Sequence, residues 1–263
     1  MKILASCLSA FVSLHFATAA EIIAHRGGAH DAPENTVASF KLGFEQKADA
    51  GELDIYLTKD GKAVVIHDKT TKRTAGADKP VVEQTLEELR ALDAGSFKGA
   101  EWKGEKIPTL AEALATIPDG RRMFIEIKCG AEVLPELERV MRESGKQPRQ
   151  LTIIGFDYDT MRQAKERFPQ HPVYWIVGTK KETQGAPPPV AELIEKAKAA
   201  RLDGLDLDYR FEIDAAVVAQ VKAAGLGFYV WTVDKPEVAK KLIADGVDGI
   251  TTDRPGWLRE QLE

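Results

Sequence analysis

Residues 51–68, GELDIYLTKDGKAVVIHD, open with a run in which apolar and polar side chains alternate. In an extended strand, successive side chains point to opposite faces. Leu53 and Ile55 therefore share an apolar face that is suited to packing against helices, while Glu52 and Asp54 share the other face. The stretch predicts a strand that buries one face in a core and collects carboxylates on the other.

Short apolar segments alternate with segments of helical spacing on both sides of this run. The candidate strands are EIIAH, GELDIYL, MFIEIK, LTIIGF, VYWIVG, GLDLDY, GFYVWTV and GITTD, and helix-like segments such as TMRQAKERF and PEVAKKLIADG lie between most of them. This alternation is typical of βαβ units and a parallel sheet. Eight such strands in a chain of 263 residues predict an α/β fold, a (β/α)8 TIM barrel. A doubly wound open sheet is the alternative, but no GxGxxG motif follows the first strand.

One connection is longer than the rest. From Lys69 to Ile107 the chain is polar and rich in turn residues, and it contains one clear helical segment, TLEELRALDAG. We interpret it as a small insertion after the second strand, placed over the end of the barrel where active-site loops lie.

The first residues differ in composition from the rest of the chain. In MKILASCLSAFVSLHFATAA, a basic start at Lys2 precedes an apolar run and a small-residue site, ATA, which predicts a secretory signal peptide over residues 1–20. A buried N-terminal helix is the alternative. The prediction implies export to the periplasm or the medium and a barrel domain over residues 21–263. Only Cys129 would remain after cleavage, so the mature fold would contain no internal disulfide.

Composition restricts the classes of partner. The chain has 44% hydrophobic and 29% charged residues, which is ordinary for a soluble globular protein. Its net charge of −5, without a long basic run, argues against nucleic-acid binding, and no stable membrane anchor is expected. The sequence does not indicate an oligomeric state.

Carboxylates recur at the ends of the predicted strands, where the active site of a TIM barrel lies. Glu52 and Asp54 lie on one strand, and Glu126 lies on the next predicted parallel strand. Two like charges about 4 Å apart cost roughly 4 kcal/mol at an effective dielectric constant near 20, so such a cluster must be compensated. Oxygen ligands favour one Ca²⁺ or Mg²⁺. The alternative is a structural salt-bridge network with Arg26 and Lys128.

Two histidines stand beside this acidic strand in the sequence. His25 ends the run EIIAH and His67 ends the run AVVIHD. Histidine titrates near neutral pH, so one imidazole could accept a proton while the other donates one. Together with a divalent cation, Arg26 and Lys128, they favour cleavage of a phosphoester. Asp68 could either orient His67 or cap the following turn.

These motifs resemble those of bacterial glycerophosphodiester phosphodiesterases, and the resemblance covers nearly the whole chain after the leader. It is carried by IIAHRGGAHDAPENT, ELDIYLTKDGKAVVIHD, FIEIK and YVWTVDKPEVAKKLIADGVDGITTDRP. The resemblance implies a TIM barrel, with His25 and His67 as general acid and base. It also implies that Glu52, Asp54 and Glu126 hold the metal ion.

Three further roles follow from the same resemblance. Arg26 and Lys128 are expected to contact the phosphate, and Trp231 is expected to form a wall beside the glycerol or the alcohol. The segment DKTTKRTAG after His67 departs from the family pattern, so the identity of the alcohol stays open.

The expected reaction converts a glycerophosphodiester into sn-glycerol 3-phosphate and an alcohol. The sequence does not assign acid and base between the two histidines, nor does it choose between water and the glycerol hydroxyl as the attacking group. Two alternatives remain, a lysophospholipase D type enzyme acting on lipid substrates and an exported binding protein that does not cleave its ligand.

Overall fold

The computed structural model describes residues 20–179 and 187–263. The predicted signal peptide therefore lies outside the described residues except for Ala20. The first two residues of the segment GAPPP, Gly185 and Ala186, also lie outside them.

Eight parallel strands close into a barrel, which confirms the predicted fold class. In chain order the strands are β1 (Glu21–Ala24), β2 (Ala50–Leu57), β3 (Ala63–Val65), β4 (Arg122–Ile127), β5 (Leu151–Gly155), β6 (Val173–Val177), β7 (Gly204–Asp208), β8 (Gly227–Trp231) and β9 (Gly249–Thr252). The parallel order is β1-β2-β4-β5-β6-β7-β8-β9, and the pairing of β1 with β9 closes the ring.

Helices surround the barrel and follow most of its strands. They are α1 (Val37–Glu45), α2 (Lys72–Ala75), α3 (Leu86–Ala91), α4 (Leu110–Leu114), α5 (Leu134–Glu143), α6 (Tyr158–Arg167), α7 (Val190–Ala199), α8 (Ala215–Ala223), α9 (Pro236–Asp245) and α10 (Pro255–Leu262). The helices α5 and α10 were not among the predicted segments. Leu134, Leu137 and Met141 of α5 are buried at helical spacing, so the missed helix follows the same rule as its neighbours. Among the described residues, none of the helices has the length and apolar character needed to cross a bilayer.

The core has two layers because each strand has two faces. Leu53 and Ile55 belong to the outer layer, between the strands and the helices, as their spacing predicts. The inside of the barrel is filled by a separate cluster of Ile23, Ala50, Phe124, Ile154, Tyr174, Ile176 and Tyr229. The side chains that lie beyond this cluster, toward the carboxyl ends of the strands, surround the functional cavity.

The run AVVIHD does not form one of the parallel barrel strands. It forms β3, which pairs antiparallel with β2 through Tyr56 opposite Val64. The connection is a tight turn in which Gly61 adopts a φ of +73°, a value that glycine reaches without strain. His67 therefore approaches the cavity from a hairpin and not from the end of a parallel barrel strand.

The insertion contains more helix than the sequence predicts. Besides α3 it contains α2 and the 3₁₀ turns Val81–Glu83 and Ala100–Trp102. A small core of its own, formed by Val64, Ile66, Val81, Leu89, Ala94 and Ile107, packs beneath it. This core fixes the backbone on either side of His67 to the barrel.

Candidate active site

A cavity of about 250 Å³ opens at the carboxyl ends of the parallel strands. One side of it is lined by charged and titratable side chains from β1, β2, β4 and the segment after β3: His25, Arg26, Glu52, His67, Glu126 and Lys128. The structure thus brings nearly all of the sequence-predicted site residues to one place.

The three predicted metal ligands meet at the bottom of this side. The pairing of β2 with β4 sets Asp54 directly beside Glu126, and Glu52 lies two residues before Asp54 on the same face. One carboxylate oxygen from each of the three lies within 4.8 Å of the others, and all three residues are buried. The close approach that the sequence predicted is therefore present.

The predicted phosphate-binding cations lie against the same carboxylates. The backbone N–H of Arg26 donates to Glu52 Oε2 at 2.8 Å, and its Nε lies 3.4 Å from Asp54 Oδ2. Lys128 Nζ lies 2.7 Å from Glu126 Oε1 and 3.3 Å from Asp54 Oδ1. The salt-bridge network that we considered as an alternative thus exists, and it surrounds the acidic cluster.

Burial and mutual repulsion give the three carboxyl groups different pKa values. Burial raises the pKa of Glu126 to about 8, and the charge of Asp54 adds to the effect. The same two causes raise the pKa of Glu52 well above its ordinary value. For Asp54, burial is outweighed by Lys128 and Arg26, which lower its pKa to about 2.

The donor set fits a hard divalent cation. All three groups offer oxygen, the ligand type that Ca²⁺ and Mg²⁺ prefer. Asp54 Oδ1 is buried and has no hydrogen bond from any described residue, so it retains a lone pair for a ligand. Because burial and mutual repulsion raise the pKa values of Glu52 and Glu126, a bound cation would favour the ionised form of both.

Each predicted catalytic histidine is held by a carboxylate. His25 Nδ1 lies 2.6 Å from Asp253 Oδ1, and His67 Nδ1 lies 2.7 Å from Asp68 Oδ1. Burial raises the pKa of Asp253, but the hydrogen bond from His25 and the nearby charges of His25 and Arg26 together lower it more, so the carboxylate stays ionised. An ionised acceptor requires a proton on Nδ1, which leaves the Nε2 lone pair of each neutral ring for the cavity.

The carboxylate of Asp68 is part of a larger ion network. Arg73 contacts Asp68 through Nε at 2.7 Å, and it also donates two bonds to Glu34 at 2.6 and 2.8 Å. These hydrogen bonds from Arg73 are the main cause that lowers the pKa of Asp68 to about 2. Glu34 in turn accepts a bond from Arg26 at 2.9 Å. Of the two roles considered for Asp68, the structure supports the orientation of His67.

The arrangement matches a known enzyme family. A family model described as the glycerophosphoryl diester phosphodiesterase family matches residues 25–257. The chain belongs to this family.

Individual relatives of the family extend over nearly the whole chain. A glycerophosphodiester phosphodiesterase of Caldanaerobacter subterraneus is 36% identical over 243 residues, which is 90% of this chain and 95% of that one. A phosphodiesterase of Oleispira antarctica, solved in complex with the product sn-glycerol-3-phosphate, has a TM-score of 0.84 at 31% identity, covering 93% and 97%. A glycerophosphodiester phosphodiesterase of Thermotoga maritima has a TM-score of 0.74 at 28% identity, covering 92% and 97%. The predicted family and the prediction of an enzyme of the phosphoric diester hydrolase class are confirmed.

The opposite wall of this phosphodiesterase cavity is mostly apolar. Trp231, the predicted wall residue, lines it, and its indole ring packs edge-on against Phe156 with 5.5 Å between centroids. Trp231 Nε1 donates to the backbone carbonyl of Asp206 at 3.1 Å, which fixes the orientation of the ring. Ile154 and Ile176 complete the apolar surface.

Sequence reasoning missed several residues that position the family's site. Asn35 donates from Nδ2 to Asp54 Oδ2 at 2.7 Å and also accepts from the Asp54 backbone N–H. The pairing of Asp253 with His25 was not predicted, and Glu34 and Arg73 were not singled out. Three of these residues, Glu34, Asn35 and Arg73, lie in the motifs APENT and TTKRTAG. Their polar side chains within these motifs were the signal that could have indicated a role in the site.

Proposed function

We propose that this chain hydrolyses glycerophosphodiesters to sn-glycerol 3-phosphate and an alcohol with the help of one bound Ca²⁺ or Mg²⁺. The observation that carries the proposal is a single cavity in which three carboxylates, two cations and two carboxylate-held imidazoles meet. The Oleispira antarctica phosphodiesterase with bound sn-glycerol-3-phosphate supports the choice of product.

Glu52, Asp54 and Glu126 would hold the cation. When bound, a divalent cation offsets the negative charge that develops on the phosphoryl oxygens. The pKa values support this assignment, because Glu52 and Glu126 repel Asp54 and each other, and a doubly charged ion would relieve that repulsion. The ion would also offset the negative charge of the phosphodiester.

Arg26 and Lys128 bind the phosphate in this proposal. Both line the cavity, and both are held by carboxylates that raise their pKa values against the opposing effect of burial. They therefore stay charged and fixed before the substrate arrives. Fixed positive groups of this kind stabilise a more negative transition state without reorganising.

His25 and His67 transfer the protons. One neutral imidazole takes a proton at Nε2 from the attacking hydroxyl, and the oxygen forms a bond to phosphorus. The other, protonated imidazole gives its proton from Nε2 to the alkoxide as the phosphorus–oxygen bond to the alcohol breaks. Asp253 and Asp68 hold the two rings through Nδ1 and stabilise each charged form.

The direct test is release of sn-glycerol 3-phosphate from glycerophosphocholine by the purified chain. We expect turnover with Ca²⁺ or Mg²⁺, loss with EDTA and recovery when the ion is restored in excess. Phosphorus NMR during the reaction identifies the attacking group, because attack by the glycerol hydroxyl gives a cyclic phosphate. Full activity in EDTA would contradict the metal site, and tight binding without product would identify a binding protein.

A lysophospholipid is the appropriate comparison substrate. Phe156 at the cavity is 37% exposed, and Phe97 in the insertion is 41% exposed. Among the described residues only Val82 joins them as an exposed large hydrophobic side chain. Because this surface is small, we expect glycerophosphocholine to be hydrolysed faster than lysophosphatidylcholine, and the reverse order would favour the lipid-acting alternative.

We also propose that residues 1–20 direct export and that the domain starts at residue 21. The composition of the leader supports this, and β1 begins immediately after it at Glu21. Cell fractionation and the N-terminal mass of the exported chain test it. A chain that keeps Met1 in the cytoplasm would contradict it.

A further inference from the structure

One buried carboxyl group at the cavity has no partner among the residues that the structure describes. Asp206 is only 3% exposed, and its Oδ1 has no hydrogen bond from any residue in the described ranges 20–179 and 187–263. Its side chain also makes no ion pair with these residues. Burial of an unpaired polar group is costly, so a site of this kind calls for an explanation.

The position of Asp206 in β7 sets it inside the barrel. Leu205 and Leu207, its neighbours in the strand, belong to the outer layer against the helices. Asp206 therefore points to the interior, where it lines the cavity. In the closed ring β7 is the strand farthest from β2, so Asp206 lies across the cavity from Glu52 and Asp54.

The other buried carboxyl groups near this end of the barrel are all paired. Glu52 accepts a bond from Arg26, Asp54 from Asn35, and Glu126 from Lys128. Asp208, two residues further along β7, is bonded to Arg210 and to Thr179. Asp206 alone among these described groups faces Ile154, Ile176 and Trp231 without a cation, so it is not part of the proposed metal site.

We propose that Asp206 binds a free hydroxyl group of the glycerol moiety and thereby makes the enzyme prefer glycerol phosphates to alkyl phosphates. This inference rests on the proposed function. With the phosphate held on the side of Arg26 and Lys128, the glycerol carbons extend toward the apolar wall. The carboxyl of Asp206 there provides the missing polar partner for a hydroxyl.

A hydroxyl fits this position better than a cationic head group does. Burial raises the pKa of Asp206 to about 7, so the neutral and the ionised forms are both present near neutral pH, and an ammonium group would pair only with the ionised one. A carboxyl group in either protonation state can bond a hydroxyl, as donor or as acceptor. The apolar faces of Trp231 and Ile176 match the carbon atoms of glycerol.

Binding of three small ligands tests the proposal independently of the attacking group. Competitive inhibition constants are measured for sn-glycerol 3-phosphate, n-propyl phosphate and inorganic phosphate, with the divalent ion present. We expect wild type to bind glycerol phosphate about tenfold or more tightly than propyl phosphate, as one buried hydrogen bond allows. Asp206→Ala should reduce this preference to within about twofold while leaving inorganic phosphate unchanged. Asp206→Asn, which still offers a donor and an acceptor, should keep part of it.

Thr152→Val is the matched control. Thr152 Oγ1 is also buried without a hydrogen bond from the described residues, but Thr152 does not line the cavity. Thr152→Val should therefore prefer glycerol phosphate to propyl phosphate as strongly as wild type does. Melting temperatures confirm that each variant is folded, and Asp206→Asn serves if the alanine variant is not.

The outcomes separate this proposal from the proposed function. If wild type fails to release sn-glycerol 3-phosphate from glycerophosphocholine, the proposed function is wrong. If wild type is active and Asp206→Ala keeps the preference for glycerol phosphate, this inference is wrong. Equal weakening of all three ligands would show a structural role. If KM of Asp206→Ala rises for glycerophosphocholine but not for glycerophosphoglycerol, Asp206 contacts the head group. Either of these two results overturns the proposal.

Discussion

His25 and His67 make similar carboxylate contacts, but they reach the cavity from different kinds of structure. His25 follows β1, and its partner Asp253 follows β9, so the pair depends on the two strands that close the barrel. His67 follows the short antiparallel β3, and its partner is the next residue in the chain. The first pair is positioned by the barrel, the second by a hairpin and an ion network.

The difference shows two ways of fixing an imidazole. The parallel register of β1 and β9 fixes both members of the first pair, and the two strands are rigidly hydrogen-bonded. The second pair needs support from outside its own strand, and Arg73 provides it by linking Asp68 to Glu34. We therefore expect the second pair to respond to changes in the insertion that leave the first unaffected.

Removal of either imidazole should have the largest effect. His25→Ala and His67→Ala should each lower kcat by about 10²–10⁴-fold, the usual contribution of a general acid or base, with little change in melting temperature. The measurement is steady-state hydrolysis of glycerophosphocholine. His30→Ala is the control, because His30 also bonds a neighbouring carboxylate but is about half exposed in a surface loop. Near-native activity in either cavity variant would remove that histidine from the mechanism.

Loss of the carboxylates that orient the two histidines should have the next largest effect on kcat. Asp253→Asn and Asp68→Asn should each lower kcat by roughly 100-fold, because a neutral amide cannot stabilise an imidazolium and can donate to Nδ1. The two variants should differ in stability. Asp68 also accepts a hydrogen bond from Arg73, whereas the carboxylate of Asp253 bonds His25. Melting temperature and proteolysis of the insertion should change only in Asp68→Asn. Equal changes in both variants would contradict the distinction between the two pairs.

The link through Arg73 should have a smaller effect. Arg73→Gln removes the bonds to Asp68 and Glu34 from a side chain that is partly exposed, so about 1 kcal/mol or less is lost and kcat/KM should fall by less than about tenfold. Hydrogen exchange should rise in the insertion and stay constant in β1 and β9. Arg162→Gln on α6 is the control, because the Arg162 side chain is exposed to a similar extent and its two ion pairs do not line the cavity. An equal effect in the two variants would show that Arg73 has no special role.

The protonation of His67 provides the smallest test. Burial lowers its pKa below the ordinary 6.5, although Asp54 opposes the shift. The ring is thus neutral in the folded chain at pH values where it is already charged in the unfolded chain. Stability should decrease as the pH falls from 6.5 through the lowered pKa.

NMR titration of the histidine ring protons in EDTA measures this pKa. Asp68→Asn should lower it further, because the hydrogen bond that His67 donates to Asp68 raises it. A pKa of His67 above 6.5 in the wild type would contradict the expected burial of the ring.

The sequence predicted the site residues whose positions depend on the side-chain alternation of a single strand. The period of β2 indicated which face would carry Glu52 and Asp54, and the parallel order brought Glu126 beside them. The sequence could not indicate that β3 is antiparallel, because a three-residue strand has the same pattern in either direction. It also could not show the pair formed by His25 and Asp253, which are 228 residues apart.

The sequence alone determined the class of fold and indicated the three carboxylates and the two histidines that the structure brings together. Strand periodicity is a local property, and it survives in any environment that buries one face. Tertiary structure decided which carboxylate holds which imidazole and which carboxyl group has no hydrogen-bond partner among the described residues. Asp206 and Asp208 share a face of one strand in the sequence. Asp208 is bonded to Arg210, two residues further along, and to Thr179 after β6, whereas closure of the barrel leaves Asp206 facing the cavity.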